Sequence, residues 1–131
     1  MRTSVLLLTA LLVLTGCGTF GSSPKSEAPN VGLYDPTGEG GDAALLTGRL
    51  ETTSECFYVN TGETRYLPVF PRGSAETENG ALIYRGESFK KGDEVSLTGG
   101  EVPPDAAAIA EAEIPTCTDK NVAYWIVAQD G

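Results

Sequence analysis

Beyond position 42 the apolar residues of this chain come in short runs, each closed by a turn of small or polar residues. Ala44–Thr52 reads ALLTGRLET, Cys56–Asn60 reads CFYVN and Thr64–Phe70 reads TRYLPVF. Ala81–Arg85 (ALIYR), Glu94–Thr98 (EVSLT) and Val122–Ala128 (VAYWIVA) follow. Short runs rich in β-branched and aromatic residues, bounded by turn residues, read as strands. Thr61-Gly62-Glu63 turns the second run into the third as a hairpin. Pro68 places the third run at an edge or a bend, because proline donates nothing to a ladder. Gly48 reads as a bulge in the first run. Pro71–Gly80 reads as a polar loop, Phe89–Asp93 as a turn, and Gly99-Gly100 as the end of the fifth strand. One helix is expected over Ala106–Ala112: Asp105 caps it, alanine favours it, and Pro115 stops it.

Five or six short strands leave unpaired backbone groups at every open edge. Closure into a small barrel hides those groups, and the last run, apolar on both faces, suits a central or closing strand. The expectation is a mainly β domain over residues 43–128: a five- to six-stranded barrel with one short helix. Phe57, Val59, Leu82, Val95, Leu97 and Trp125 are its expected core.

The opening segment is different. Val5–Leu14 is an apolar run of about ten residues after a single basic residue, Arg2, and a membrane-spanning helix needs about twenty. The pattern is that of a secretory signal peptide. Leu14-Thr15-Gly16-Cys17 resembles the lipobox of bacterial lipoproteins. That resemblance implies a signal peptide over residues 1–16, cut before Cys17, and a diacylglyceryl group on the Cys17 thiol. Lipid chains such as palmitate would then anchor the chain to the extracytoplasmic face of the cell membrane, each buried methylene contributing about 0.8 kcal/mol. Residues 17–42 are dominated by Gly, Ser, Pro and acidic side chains and read as a flexible tether, with a coil-like reach of about 27 Å.

Removal of residues 1–16 takes Arg2 away and leaves 8 basic against 18 acidic side chains, a net charge of −10. Such a surface argues against nucleic acid and against a polybasic membrane contact; it attracts basic proteins or cationic ligands. With Cys17 lipidated, Cys56 and Cys117 remain, and two thiols in an oxidising compartment form one disulfide.

A wider resemblance rests on CFYVNTGETRYLPVFPRGS, on ALIYRGESFKKGDEVSLTGGEVP, and on the second cysteine followed by YWIV. These segments resemble a group of small actinobacterial lipoproteins and secreted proteins. The shared features are a cysteine before an aromatic strand, a Tyr-Leu-Pro-Val-Phe-Pro segment, a Gly-Asp-x-Val turn and a Gly-Gly pair. The resemblance spans Gly48–Val127. It implies an OB-like barrel in the cell envelope and carries no activity. A second, more distant likeness is to the membrane-bound lysozyme inhibitors, acidic lipid-anchored barrels with one disulfide and a Ser-Gly-x-x-Tyr loop. Asn79-Gly80-Ala81 and Tyr84 stand near that pattern, with Asn for Ser and Tyr84 one position further on; Lys91-Gly92 matches the family's Lys-Gly turn.

The sequence offers little for catalysis. It has no histidine, the commonest general base and metal ligand. It has no Ser-x-x-Lys or Gly-x-Ser-x-Gly pattern and no EF-hand spacing. Asp93/Glu94 and Glu111/Glu113 read as solvated faces, and the Gly38–Gly41 cluster follows no strand and opens no helix. No catalytic residue, metal ligand or cofactor is expected. The binding candidates are Tyr66, Phe70, Arg72 and Tyr84, with Tyr58 considered beside them, because tyrosine offers an apolar face and a polar tip. The expected function is that of a lipid-anchored, exoplasmic, non-catalytic module binding an envelope protein or a small ligand. The alternative is an inhibitor of a basic wall-degrading enzyme such as lysozyme. An exposed Tyr84 beside a protruding Asn79 loop would mark the inhibitor. An apolar cavity lined by Tyr66 and Tyr124 would mark a ligand carrier, and two close buried carboxylates an enzyme.

Overall fold

The structure, a computed structural model, describes residues 31–37 and 43–129. The expected signal peptide, Cys17 and most of the expected tether lie outside the described residues. In chain order the elements are β1 (Gly32–Tyr34), β2 (Ala44–Thr53), β3 (Cys56–Asn60), β4 (Arg65–Pro71), β5 (Ala75–Glu78), β6 (Ala81–Tyr84), β7 (Glu87–Phe89), β8 (Glu94–Val102), α1 (Ala107–Glu111) and β9 (Ala123–Val127).

Five of these strands close on themselves. Around the ring they run β4-β3-β2-β8-β9, and β9 returns to pair with β4 in parallel, Leu67 opposite Tyr124. Counted along the chain the barrel strands are ordered 1-2-3-5-4-1, the connectivity of an OB-like barrel. Strand alternation explains the filling. Leu46 and Leu50 of β2, Phe57 and Val59 of β3, Val95 and Leu97 of β8, and Trp125 and Val127 of β9 point inward and form one buried cluster. All six expected core residues are buried.

Two glycines set how closely the strands approach. The register of β2 against β8 runs unbroken from Ala44 to Arg49, so Gly48 marks no bulge. It marks a close crossing: a Cβ there would lie 2.6 Å from the Asn60 carbonyl oxygen and 2.9 Å from Val59 Cγ1. Gly99-Gly100 does not end β8. Gly99 pairs with Ala44 on one side and Val127 on the other, where β8 passes from β2 to β9. A Cβ at Gly99 would run into the Ile126 carbonyl oxygen and come within 2.9 Å of Trp125 Nε1. Gly99 here permits a close approach of β8 to β9 that a side chain would block.

The expected strand at Ala81 forms as β6, the expected polar loop before it contains β5, and β7 ends on Phe89, where the turn was expected to begin. β5, β6 and β7 form a separate three-stranded sheet between β4 and β8. Asn79 and Gly80 join β5 to β6, and Arg85 and Gly86 join β6 to β7, every one at positive φ. These are the two-residue hairpins whose twist suits paired strands. Leu82 and Tyr84 of β6 bury themselves against the barrel core.

The folded part also begins earlier than Ala43. Val31, at 1% exposure, is core. β1, inside the segment expected as tether, runs parallel to β4 with Gly32 opposite Val69. The outer edge of β1 is satisfied as well, since Leu33 and Glu113 exchange two backbone hydrogen bonds of 3.0 and 2.8 Å. The Tyr34 hydroxyl donates to the Val127 carbonyl at 2.7 Å. α1 is shorter than expected and has Ala106, not Asp105, at its N-cap, with no side-chain capping bond.

Candidate functional site

The disulfide joins Cys56 to Cys117 with 5.7 Å between their Cα atoms. Cys56 follows the turn from β2 to β3; Cys117 lies in the long connection from β8 to β9. In OB-type barrels the second and third strands, with the loops between strands one and two and between four and five, form the ligand face. Those strands here are β3 and β4, and those loops are the two that the disulfide ties together.

The face is covered by the chain itself. Cys56, Tyr58 and Leu67 point outward from the barrel and are buried with Val122, against Ile114, Cys117 and Tyr124. The Tyr58 hydroxyl donates to the Cys117 carbonyl at 3.3 Å and accepts from the Asp119 N–H at 3.0 Å. The Arg65 guanidinium stacks 4.4 Å over the Tyr58 ring and pairs with the Asp119 carboxylate at 2.7 Å. The turn beneath is strained, because Ser54 and Glu55 both take positive φ, where Asn and Gly are at ease.

Beside the covered strip lies an open depression of about 430 Å³ across the outer faces of β2 and β3. Its chemistry is polar: Arg49, Glu51, Asn60, Thr61 and Glu94 line it, with Thr47 at its edge. The groups are held in place. The Asn60 amide donates to Glu51 at 2.7 Å, its carbonyl oxygen accepts from the Gly62 N–H at 2.8 Å, and Arg49 donates to the Gly92 carbonyl at 3.0 Å. The lining offers both signs of charge, an amide and hydroxyls, so it suits a polar ligand or the charged side chains of a partner. The outward alternation of Thr47, Arg49 and Glu51 along β2 was visible in the sequence. Its neighbours were not, because Asn60 and Glu94 join it only through strand pairing.

The four residues expected to bind do not form one surface. Phe70 is fully buried and Tyr84 is 6% exposed; their rings pack on each other in the core at 5.0 Å. Both are therefore corrections, since β4 and β6 turn these side chains inward. Tyr66 is half-buried, sets its ring edge-on to Trp125 at 5.8 Å, and donates its hydroxyl to Glu101 at 3.3 Å. Burial, and then the Glu101 charge, raise its pKa above the ordinary tyrosine value. Arg72 is exposed and already engaged, with Asp35 at 2.7 Å and Glu113 at 2.9 Å. Its hydrogen bonds to Asp35 and then Glu113 raise the guanidinium pKa still further. Arg72 thus clips the end of β1 to the β8–β9 connection.

Among the described residues no charged side chain is buried, and no three His, Cys, Asp or Glu side chains gather as metal ligands. The Trp125 indole N–H is buried without a hydrogen-bond partner beside Gly99. Among the described residues no helix is long and apolar enough to cross a membrane. Comparison with protein-family models, with curated proteins and with solved structures yields no match to this chain.

Proposed function

We propose that this chain is a non-catalytic binding module, anchored by lipid on Cys17 at the extracytoplasmic face of a bacterial membrane. Its barrel offers the polar groove across β2 and β3 to an envelope protein or a small polar ligand. The observation that carries this reading is the set of Arg49, Glu51 and Asn60, held by hydrogen bonds, with Glu94 beside them around an open depression. The acidic surface adds long-range attraction for a basic partner. Inhibition of a basic wall-degrading enzyme draws on the same charge, but Tyr84, on which that reading leaned, is buried.

Capture tests the proposal. Residues 28–131, with the disulfide oxidised, are immobilised and exposed to envelope extract and, separately, to lysozyme. The expected outcome is saturable, salt-sensitive capture of one component, lost in Asn60→Ala and in Arg49→Glu. Capture that both variants retain would remove the groove from the account. Capture of lysozyme would put the inhibitor reading first.

A further inference from the structure

The outer face of β3 is divided. Asn60 lies in the open groove, whereas Cys56 and Tyr58, on the same face, lie under the β8–β9 connection. We propose that this connection, residues 103–122, is a redox-held cover. Oxidised, it closes the strip of the outer face of β3 and β4 that carries Cys56, Tyr58 and Leu67. Reduced, it lifts while the barrel stays folded, and the groove gains a strip bearing Tyr58, Arg65 and Leu67.

The cover is weakly attached apart from its cross-link. Among the described residues its backbone-to-backbone bonds to the rest of the fold are the pair between Leu33 and Glu113; those of Ala106, Ile109, Ala110, Ala112 and Thr118 stay within the cover. Of α1 only Ile109 is buried. The other ties are the packing of Ile114 and Val122 against Cys56, Tyr58 and Leu67, and the polar contacts of Tyr58 with Cys117 and Asp119, Arg65 with Asp119, and Arg72 with Glu113. Solvent-exposed ion pairs of this kind hold little. Segments with few buried contacts and few backbone bonds to the body of a fold open independently of it.

The barrel does not depend on the cross-link in the same way. Neither cysteine belongs to the inner cluster of Leu46, Leu50, Phe57, Phe70, Trp125 and Val127. The ring of strands is closed by backbone pairing of β4 with β9. The cysteines also differ in access: Cys56 is fully buried and Cys117 is half-buried. A dithiol therefore attacks at Cys117. Its thiolate bonds to the Cys117 sulfur, the S–S bond breaks, and Cys56 leaves as a thiolate that takes a proton. The second thiol of the reductant then displaces Cys117, which is protonated in turn. Two electrons and two protons pass to the protein, and the dithiol becomes a cyclic disulfide.

The lifting stands on the attachments alone; use of the uncovered strip by the groove's partner rests on the binding reading above. Hydrogen exchange on the folded chain, oxidised and with dithiothreitol, tests the first. Amides of residues 103–122 are expected to exchange at least about tenfold faster after reduction, with those of β2, β3 and β8 unchanged and Trp125 fluorescence still that of a buried indole. Unchanged exchange in the cover would overturn the proposal, and so would joint exchange of cover and strands. The Cys56→Ser/Cys117→Ser variant, measured without reductant, must reproduce the reduced pattern; an oxidised-like pattern would overturn it. Capture in both redox states tests the second. Capture that rises on reduction supports use of the strip; accelerated exchange with capture in neither state would sink the binding reading and leave the cover standing.

Discussion

Phe57 and Tyr58 are neighbours on β3 and equally buried, each at 1% exposure, yet different parts of the chain bury them. Phe57 points into a ring of strands whose backbone groups pair all the way round. Tyr58 points outward and is covered by a connection with one five-residue helix. The inner side chain is held by packing that no single contact controls. The outer one is held by two hydrogen bonds, a stacked guanidinium and a disulfide two residues away from it in Cys56. Equal burial therefore implies neither equal stabilisation nor equal permanence.

The largest expected break in this contrast is Gly99→Val. The added side chain meets the Ile126 carbonyl and Trp125 where β8 closely approaches β9, and a loss above about 4 kcal/mol leaves no folded protein by circular dichroism. Phe57→Ala comes next, at about 3–5 kcal/mol in denaturant titration, because it opens a cavity in the closed core. Tyr58→Phe sharpens the other half of the comparison. It keeps the ring and removes the bonds to Cys117 and Asp119, at a cost of about 1–2 kcal/mol. If it cost as much as Phe57→Ala, the distinction between inner and outer burial would fail.

The smallest effect is alkaline. Burial, and then the neighbouring Tyr84, raise the Tyr34 pKa above the ordinary tyrosine value, so its neutral form is favoured in the folded state. Its stabilisation is complete below the unfolded tyrosine pKa, about pH 10, and is lost as pH rises through the higher folded value. Tm measured from about pH 8 to 11 should fall at the top of that range. Tyr34→Phe should flatten part of the fall while costing about 1 kcal/mol at neutral pH. An unchanged alkaline fall would remove Tyr34 from the account.

Much of the inner barrel was legible along the chain. Cys56–Asn60 emerges as a strand with its boundaries unchanged, because dense β-formers sit between two turns. β9 falls within a residue of its expected ends at either side for the same reason. β1, β5 and β7 are only three or four residues long, too short for a period, and AETE carries no large apolar side chain to announce β5. The burial of Phe70 and Tyr84 was missed for another reason. Alternation tells which residues of β4 share a face, but β4 is buried on both faces, Phe70 in the core and Leu67 under the cover. The Leu67–Phe70 run is apolar on both faces, the mark of a doubly covered strand, but Pro68 pointed to an edge, whereas β4 pairs with β1, β3 and β9. The disulfide followed from cysteine count and the expected compartment; that it fastens the β8–β9 connection over the outer side of β3 and β4 followed only from the packing around Tyr58.

The most direct test of the two-region account is scanning calorimetry of the reduced, thiol-blocked chain. Removing a cross-link over 61 positions costs about 4 kcal/mol in the chain-entropy model. The account predicts that one cooperative transition survives, shifted to lower temperature, because the inner core holds the barrel without the cover. A reduced chain with no excess-heat peak would contradict it, since core and cover would then stand or fall together.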